Sequence, residues 1–312
     1  MIQYRQRCLS ISIIGVVLLL FSRPALADDG MFVRDGVQLH YRTAGSGSPI
    51  VFLSGGPGLD VDYMIPVAEF VPTTFLRVFY EQRGTSRSRV ANVSAENMSL
   101  RHVVEDLEGL RIALKQDRLF LIGHSWGGML AMAYGAAHPD RVDRLILISS
   151  GGPTIEFQSW FQDNIRMRLR PEDLEAERYW DAAMKRGVDV DKAAFEGLRA
   201  IAPGYFFDRA KGVAFASQMR EGILHAQVAA VLSSDLAKRY DVRPGLRQLN
   251  RPVLIVQGHQ DPIGDKTAED IHGAIKSSVV KFINQSGHFP WIEQPDALRR
   301  ILTEFFGSGR GR

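Results

Sequence analysis

Ser125, Asp261 and His288 follow one another along the chain, each just beyond a short apolar run, in the segments Gly123-His124-Ser125-Trp126-Gly127, Gly258-His259-Gln260-Asp261 and Gly287-His288. A serine hydroxyl becomes a useful nucleophile when an imidazole takes its proton, and the imidazole needs a carboxylate to hold its tautomer. The three residues therefore read as nucleophile, acid and base for acyl transfer. The first segment carries a signal of its own. Glycines two positions either side of Ser125 allow a strained strand-to-helix turn that pushes the hydroxyl into the open, and Gly128 extends that tolerance. A second glycine run, Ser54-Gly55-Gly56-Pro57-Gly58, follows the apolar Ile50–Leu53 and stands where the other half of an oxyanion hole belongs. The hole is assigned to the N–H groups of Gly56 and Trp126, with Gly55 as second choice to Gly56. Pro57 stiffens the loop without supplying a donor.

Other polar residues fit this chemistry less well. Asp265 lies four positions beyond Asp261 and reads as a surface or capping residue. His259 shares the acid's own loop and reads as packing. His124, next to the nucleophile, reads as a core residue turned away from it. No two histidines have the spacing of a helical zinc pair, so neither metal nor other cofactor is expected.

Positioning these groups requires a sheet whose loops meet at one edge. Met31–Val33 and Val37–Arg42 flank Asp35-Gly36, a dipeptide suited to a hairpin turn. Ile50–Leu53, Arg77–Tyr80, Leu119–Ile122, Leu145–Ile148, Val253–Val256 and Val279–Ile283 are apolar without polar alternation, as in a parallel sheet covered on both faces. Helices are expected from Leu100 to Lys115 with Ser99 as cap, over Trp126–Ala137, around Thr267–Ile275, and near Asp296–Phe306. Ser125, Asp261 and His288 then all fall at the carboxyl edge of the strands, where such folds bind ligands. Between Gly151 and Arg251 the strand rhythm stops and helical patterns take over. The fold class is thus α/β, a mostly parallel doubly wound sheet, with a core of 28–152 and 246–306 and an inserted helical lid of 153–245. A disordered tail is expected at 307–312.

Composition narrows the function classes. The chain has 312 residues, a formal charge of +3 and one cysteine, Cys8. Residues 1–27 hold three arginines, no acid, the 13-residue apolar run Leu9–Phe21, and a small-residue end at Ala25-Leu26-Ala27. This pattern is a removable export signal, with a run too short to span a bilayer comfortably. Removing it leaves 35 bases against 35 acids in 285 residues, and no cysteine. The mature chain then has no basic field for nucleic acid, no thiol nucleophile, and no stable membrane anchor. A periplasmic or secreted protein acting on a small molecule or short peptide is expected.

The set Gly55-Gly56-Pro57-Gly58, Gln82-Arg83-Gly84, Gly123–Gly128, Gly258–Asp261 and Gly287-His288 resembles the α/β-hydrolase superfamily. It is most similar to the proline-iminopeptidase-like serine peptidases, with their Gly-Gly-Pro-Gly oxyanion loop and Asp-Gln-Arg-Gly segment. The resemblance spans 31–151 and 251–306 and is poor between them. It implies the same triad, with Gly55, Pro57, Gly58, Gln82, Arg83 and Gly84 as supporting loops. Ser54 and Glu81 replace the family's usual His and Asp. In the family, lid glutamates hold the substrate's free amino group, one of them shortly before a Tyr-Phe pair. No acid immediately precedes Tyr205-Phe206 here, leaving Glu196 or Glu221 as substitutes, and 153–245 balances 14 acids against 14 bases. Two substrate readings follow. The resemblance implies an aminopeptidase, with Tyr205, Phe206, Glu196 and Glu221 near the substrate. The missing acid and the aromatics Trp160, Phe161, Tyr205, Phe206 and Phe207 suit an ester, lactone or amide hydrolase of an apolar molecule. A non-catalytic binding protein on this fold is the remote third.

Overall fold

The computed structural model describes residues 28–308. The expected export signal, and residues 309–312 of the expected tail, lie outside the described residues. Strands β1 (Asp28–Arg34) and β2 (Val37–Ala44) pair antiparallel. Their connection takes positive φ at Asp35 and Gly36, the backbone twist that suits a two-residue hairpin.

The sheet continues through β3 (Ser48–Leu53), β4 (Phe75–Tyr80), β5 (Leu119–His124), β6 (Val142–Ile148), β7 (Val253–Gly258) and β8 (Ser278–Ile283). The eight strands run in the order β1-β2-β4-β3-β5-β6-β7-β8, parallel from β4 onward and antiparallel at β1 and β2. All six residues of β5 and all six of β7 are buried, which explains their unbroken apolar sequence. Side chains alternate between faces. Val51, Leu53, Leu121, Leu147 and Ile255 join one core layer, and Ile50, Phe52, Ile122, Ile146 and Val256 join the other.

Helices α1 (Leu100–Ala113) and α2 (Trp126–Ala137) cover the first layer. The expected Ser99 cap is not made. Ser99 Oγ lies 2.8 Å from His102 Nδ1, and the Leu100 N–H donates to Asp235 Oδ2 at 2.8 Å. A 3-10 segment, Val61–Phe70, packs on the second layer and contains Pro66.

Between β6 and β7 the chain forms α3 (Gln158–Arg166), α4 (Pro171–Lys185), α5 (Val190–Ile201), α6 (Arg209–Gln218), α7 (Ala226–Arg239) and the short α8 (Arg243–Leu246). No strand interrupts them among the described residues. This helical layer is tied to the sheet side by bridges Leu59–Leu224 and Thr154–Asp241. Helices α9 (Asp265–Ala274), α10 (Pro290–Glu293) and α11 (Pro295–Gly307) complete the chain. Gly307 closes α11 instead of opening a tail, because Leu298, Leu302 and Phe305 hold that helix in the core.

Candidate active site

The turn after β5 carries Ser125 at φ 55° and ψ −119°, an unusual conformation for a non-glycine residue. Its N–H donates to Ile148 O, and its carbonyl accepts from Gly128, Met129 and Gly151. Those bonds hold the strained backbone from both sides. A Cβ on Gly127 would stand 2.1 Å from Leu53 O, so glycine is required for helix α2 to start against β3. From Leu119 to Gly135, Ser125 is the one residue that is not buried. The turn presents a hydroxyl and hides everything around it.

His288 Nδ1 lies 3.0 Å from both carboxylate oxygens of Asp261. Asp261 Oδ1 also accepts the Ile263 N–H at 2.9 Å, which fixes the carboxylate plane. Both side chains are buried, so the acid faces the imidazole instead of water. Asp261 leaves the end of β7 and His288 the end of β8, as the strand pattern predicts. Among the described residues no hydrogen bond joins Ser125 Oγ to His288, but both line one cavity of about 540 Å³. Such contacts commonly tighten only when substrate binds.

Gly55, Gly56, Pro57 and Trp126 line the same cavity. The Gly55 N–H is engaged, donating to Tyr63 Oη at 2.5 Å. Neither Gly56 nor Trp126 gives its N–H to an acceptor among the described residues, leaving these two amides for a substrate oxygen. Gln82 joins the loops that carry them. Its amide donates to Ser54 O at 2.9 Å and Ser54 Oγ at 3.0 Å, and its carbonyl accepts the Trp126 indole N–H at 2.9 Å. Ser54 Oγ donates in turn to Leu59 O. Serine thus supports the loop from within. Arg83 forms a buried bidentate pair with Asp106, and Glu81 binds Arg42 and Arg87, so both residues brace the strand end at a distance from the cavity. Gly58 and Gly84 adopt positive φ, and at each an added Cβ would press on helix α7 or the residue preceding it.

Two neighbours of the acid behave as expected. His259 stacks on Phe282 with ring centroids 4.8 Å apart, and Asp265 is a partly exposed partner of its imidazole. His124 is buried but not a bystander. Its Nε2 lies 2.9 Å from His288 O and its Nδ1 2.9 Å from Tyr63 Oη. Burial, reinforced by His288 nearby, holds its pKa well below the ordinary histidine value.

The residues between β6 and β7 distribute differently from expectation. Tyr205 and Phe161 line the cavity. Phe206 does not; it is buried against Phe289, rings 5.0 Å apart and nearly parallel. Trp160 gives its indole N–H to Ile263 O, and Phe207 is exposed. Glu196 pairs with Arg199 on α5 and Glu221 is exposed, and neither lines the cavity. Sequence reasoning missed Glu293, whose buried carboxylate accepts the Gly287 N–H at 2.6 Å and the Asp208 N–H at 2.8 Å. Burial raises its pKa despite those bonds. It also missed Tyr63, which sits in a 3-10 segment with no period to reveal its inward face.

The cavity wall is otherwise aliphatic and aromatic, with Gln158, Gln162 and Ser233 as neutral polar groups. Among the described residues no Asp, Glu, Lys or Arg contributes to it.

Comparison with known proteins identifies the fold family. The family model described as the alpha/beta hydrolase fold matches residues 48–295. A proline iminopeptidase of Heyndrickxia coagulans is 25% identical over 272 residues, covering 85% of this chain and 92% of that one. Another, from Saccharolobus solfataricus, is 26% identical over 288 residues, covering 85% and 86%. The crystal structure of the enol-lactonase from Burkholderia xenovorans superposes with a TM-score of 0.67 at 21% identity, over 88% of this chain and 99% of that one. At that identity the likeness shows the fold alone. The chain belongs to the α/β-hydrolase family.

Proposed function

We propose that the protein is an exported serine hydrolase that cleaves uncharged carboxylic esters or lactones with an apolar acyl part, through an acyl-enzyme. His288 takes the proton of Ser125 as Oγ attacks the acyl carbon, and Asp261 keeps Nδ1–H oriented and stabilises the imidazolium. The oxyanion receives the N–H groups of Gly56 and Trp126. His288 then protonates the leaving oxygen, and later removes a proton from the water that frees the acid.

The wall of the cavity carries the substrate assignment. An aminopeptidase must hold an ammonium group beside the scissile bond, and an ammonium taken out of water without a carboxylate partner is strongly disfavoured. The two glutamates available for that task lie elsewhere. Likeness to proline iminopeptidases over most of the chain favours the second reading, release of an N-terminal residue.

Assaying p-nitrophenyl acyl esters and small lactones beside prolyl- and other aminoacyl-arylamides separates the two. Esters should exceed every free-amine substrate by about 100-fold in kcat/KM, the equivalent of about 3 kcal/mol. A preferred aminoacyl-arylamide would overturn the ester reading. Ser125→Ala should lose both turnover and labelling by a fluorophosphonate, and labelling that survived it would remove Ser125 as the nucleophile.

A further inference from the structure

We infer that Tyr63 is a positioning residue, the middle of a one-directional hydrogen-bond chain that ties the oxyanion loop to the loop of the catalytic base. The inference rests on the serine-hydrolase reading above. The direction of each bond follows by elimination. His288 O only accepts, so the His124 Nε2 at 2.9 Å must carry a proton. His124 is buried and held neutral, so its Nδ1 is bare and accepts from Tyr63 Oη–H at 2.9 Å. Tyr63 has then spent its proton, and its oxygen accepts the Gly55 N–H at 2.5 Å. Burial pushes the phenol pKa up, so Tyr63 stays a donor throughout the working range.

The chain spans three carboxyl ends of the sheet, those of β3, β5 and β8. Its consequence at Gly55 is geometric. With that N–H committed to Tyr63, the next amide, Gly56, is the one turned toward the substrate. A Cβ on Gly55 would lie 2.8 Å from Tyr63 Oη and 3.1 Å from Ser125 Cβ, so tyrosine, loop and nucleophile meet at one point. Packing reinforces the bonds: the Tyr63 ring stands edge-on to His124 at 5.6 Å and against Trp291 at 6.4 Å. A phenylalanine would keep those contacts and lose only the oxygen.

The chain has three links, and two variants cut it at different places. Tyr63→Phe removes both bonds of the phenol. In His124→Gln, an NH2 set against His288 O carries the amide oxygen away from the Nδ1 position and leaves Tyr63 without its acceptor. Each should lower the rate of Ser125 phosphonylation at saturating fluorophosphonate, and kcat on the best ester, about tenfold, while probe affinity and KM stay within about twofold. The double variant should cost no more than either single one, because one chain is broken once. A residue that merely filled space would lower the melting temperature and leave the limiting rate alone. Equal limiting rates in wild type and Tyr63→Phe, or costs that multiply in the double variant, would overturn the inference. Should Tyr63→Phe fail to fold, His124→Gln alone decides, and a wild-type rate in that variant overturns it. A wild type that fails to label on Ser125 would instead sink the hydrolase reading, and the inference with it.

Discussion

At the scale of single residues, the site depends on groups that are neutral because they are buried. His124 makes its two bonds only as a neutral imidazole, and the fold suppresses its protonation. The linkage has a definite sign. Above the ordinary histidine pKa of about 6.5 His124 is neutral whether folded or unfolded, so its contribution to stability is complete. Below that value the unfolded chain takes up a proton that the native state refuses, and stability falls as pH falls toward the depressed native pKa. Thermal melting of the wild type between pH 7.5 and pH 5 should show this loss, at up to about 1.4 kcal/mol per pH unit from this one group. His124→Gln should flatten that part of the curve. Identical slopes would mean that His124 is solvated enough to titrate normally.

At the scale of elements, apolar runs announced the strands because β3, β5, β6 and β7 are covered on both faces, and burial on both faces leaves no room for polar alternation. Helix α2 was equally legible, since small residues and the following Pro139 bound it sharply. Ser125, Asp261 and His288 were readable as a candidate triad for the same reason: each follows a strand whose end was visible. What escaped were contacts between distant segments. Ser99 has the right type to cap α1, yet its hydroxyl faces His102 and a carboxylate from α7 does the work. No local pattern announces a cap supplied from Asp235. Replacing Asp235 with Ala should therefore cost about 1 kcal/mol, read as a lower urea midpoint. Ser99→Ala should cost less, the reverse of what sequence alone suggests. Tyr63 escaped likewise, because a 3-10 segment containing Pro66 has no 3.6-residue period.

At the scale of the molecule, the helical layer and the sheet are joined beside the proposed catalytic base. Glu293 accepts one amide from the nearby loop of His288, Gly287, and one from the helical layer, Asp208, which is far away in sequence and therefore invisible as a partner beforehand. A glutamine would have to set its NH2 against one of these donors, leaving a buried N–H unpaired at about 1–3 kcal/mol. Glu293→Gln should lower the urea midpoint accordingly and expose the segment around α6 to limited proteolysis about tenfold faster. Unchanged proteolysis would show that the neighbouring Lys211 contacts to Ile292 O and Glu293 O hold the layer by themselves.

A further bond crosses the same seam: the His288 N–H donates to Tyr205 O at 2.8 Å, so the backbone of the proposed base is hydrogen-bonded to the layer that roofs the cavity. The helical layer is therefore a poor cassette for exchange. A chimera that grafts another family member's helices between β6 and β7 will inherit its cavity wall, but it will keep a correctly aimed base only if the graft returns a carbonyl to the place of Tyr205. Engineering new specificity into this scaffold should alter side chains within the existing layer and leave the path of residues 203–208 intact.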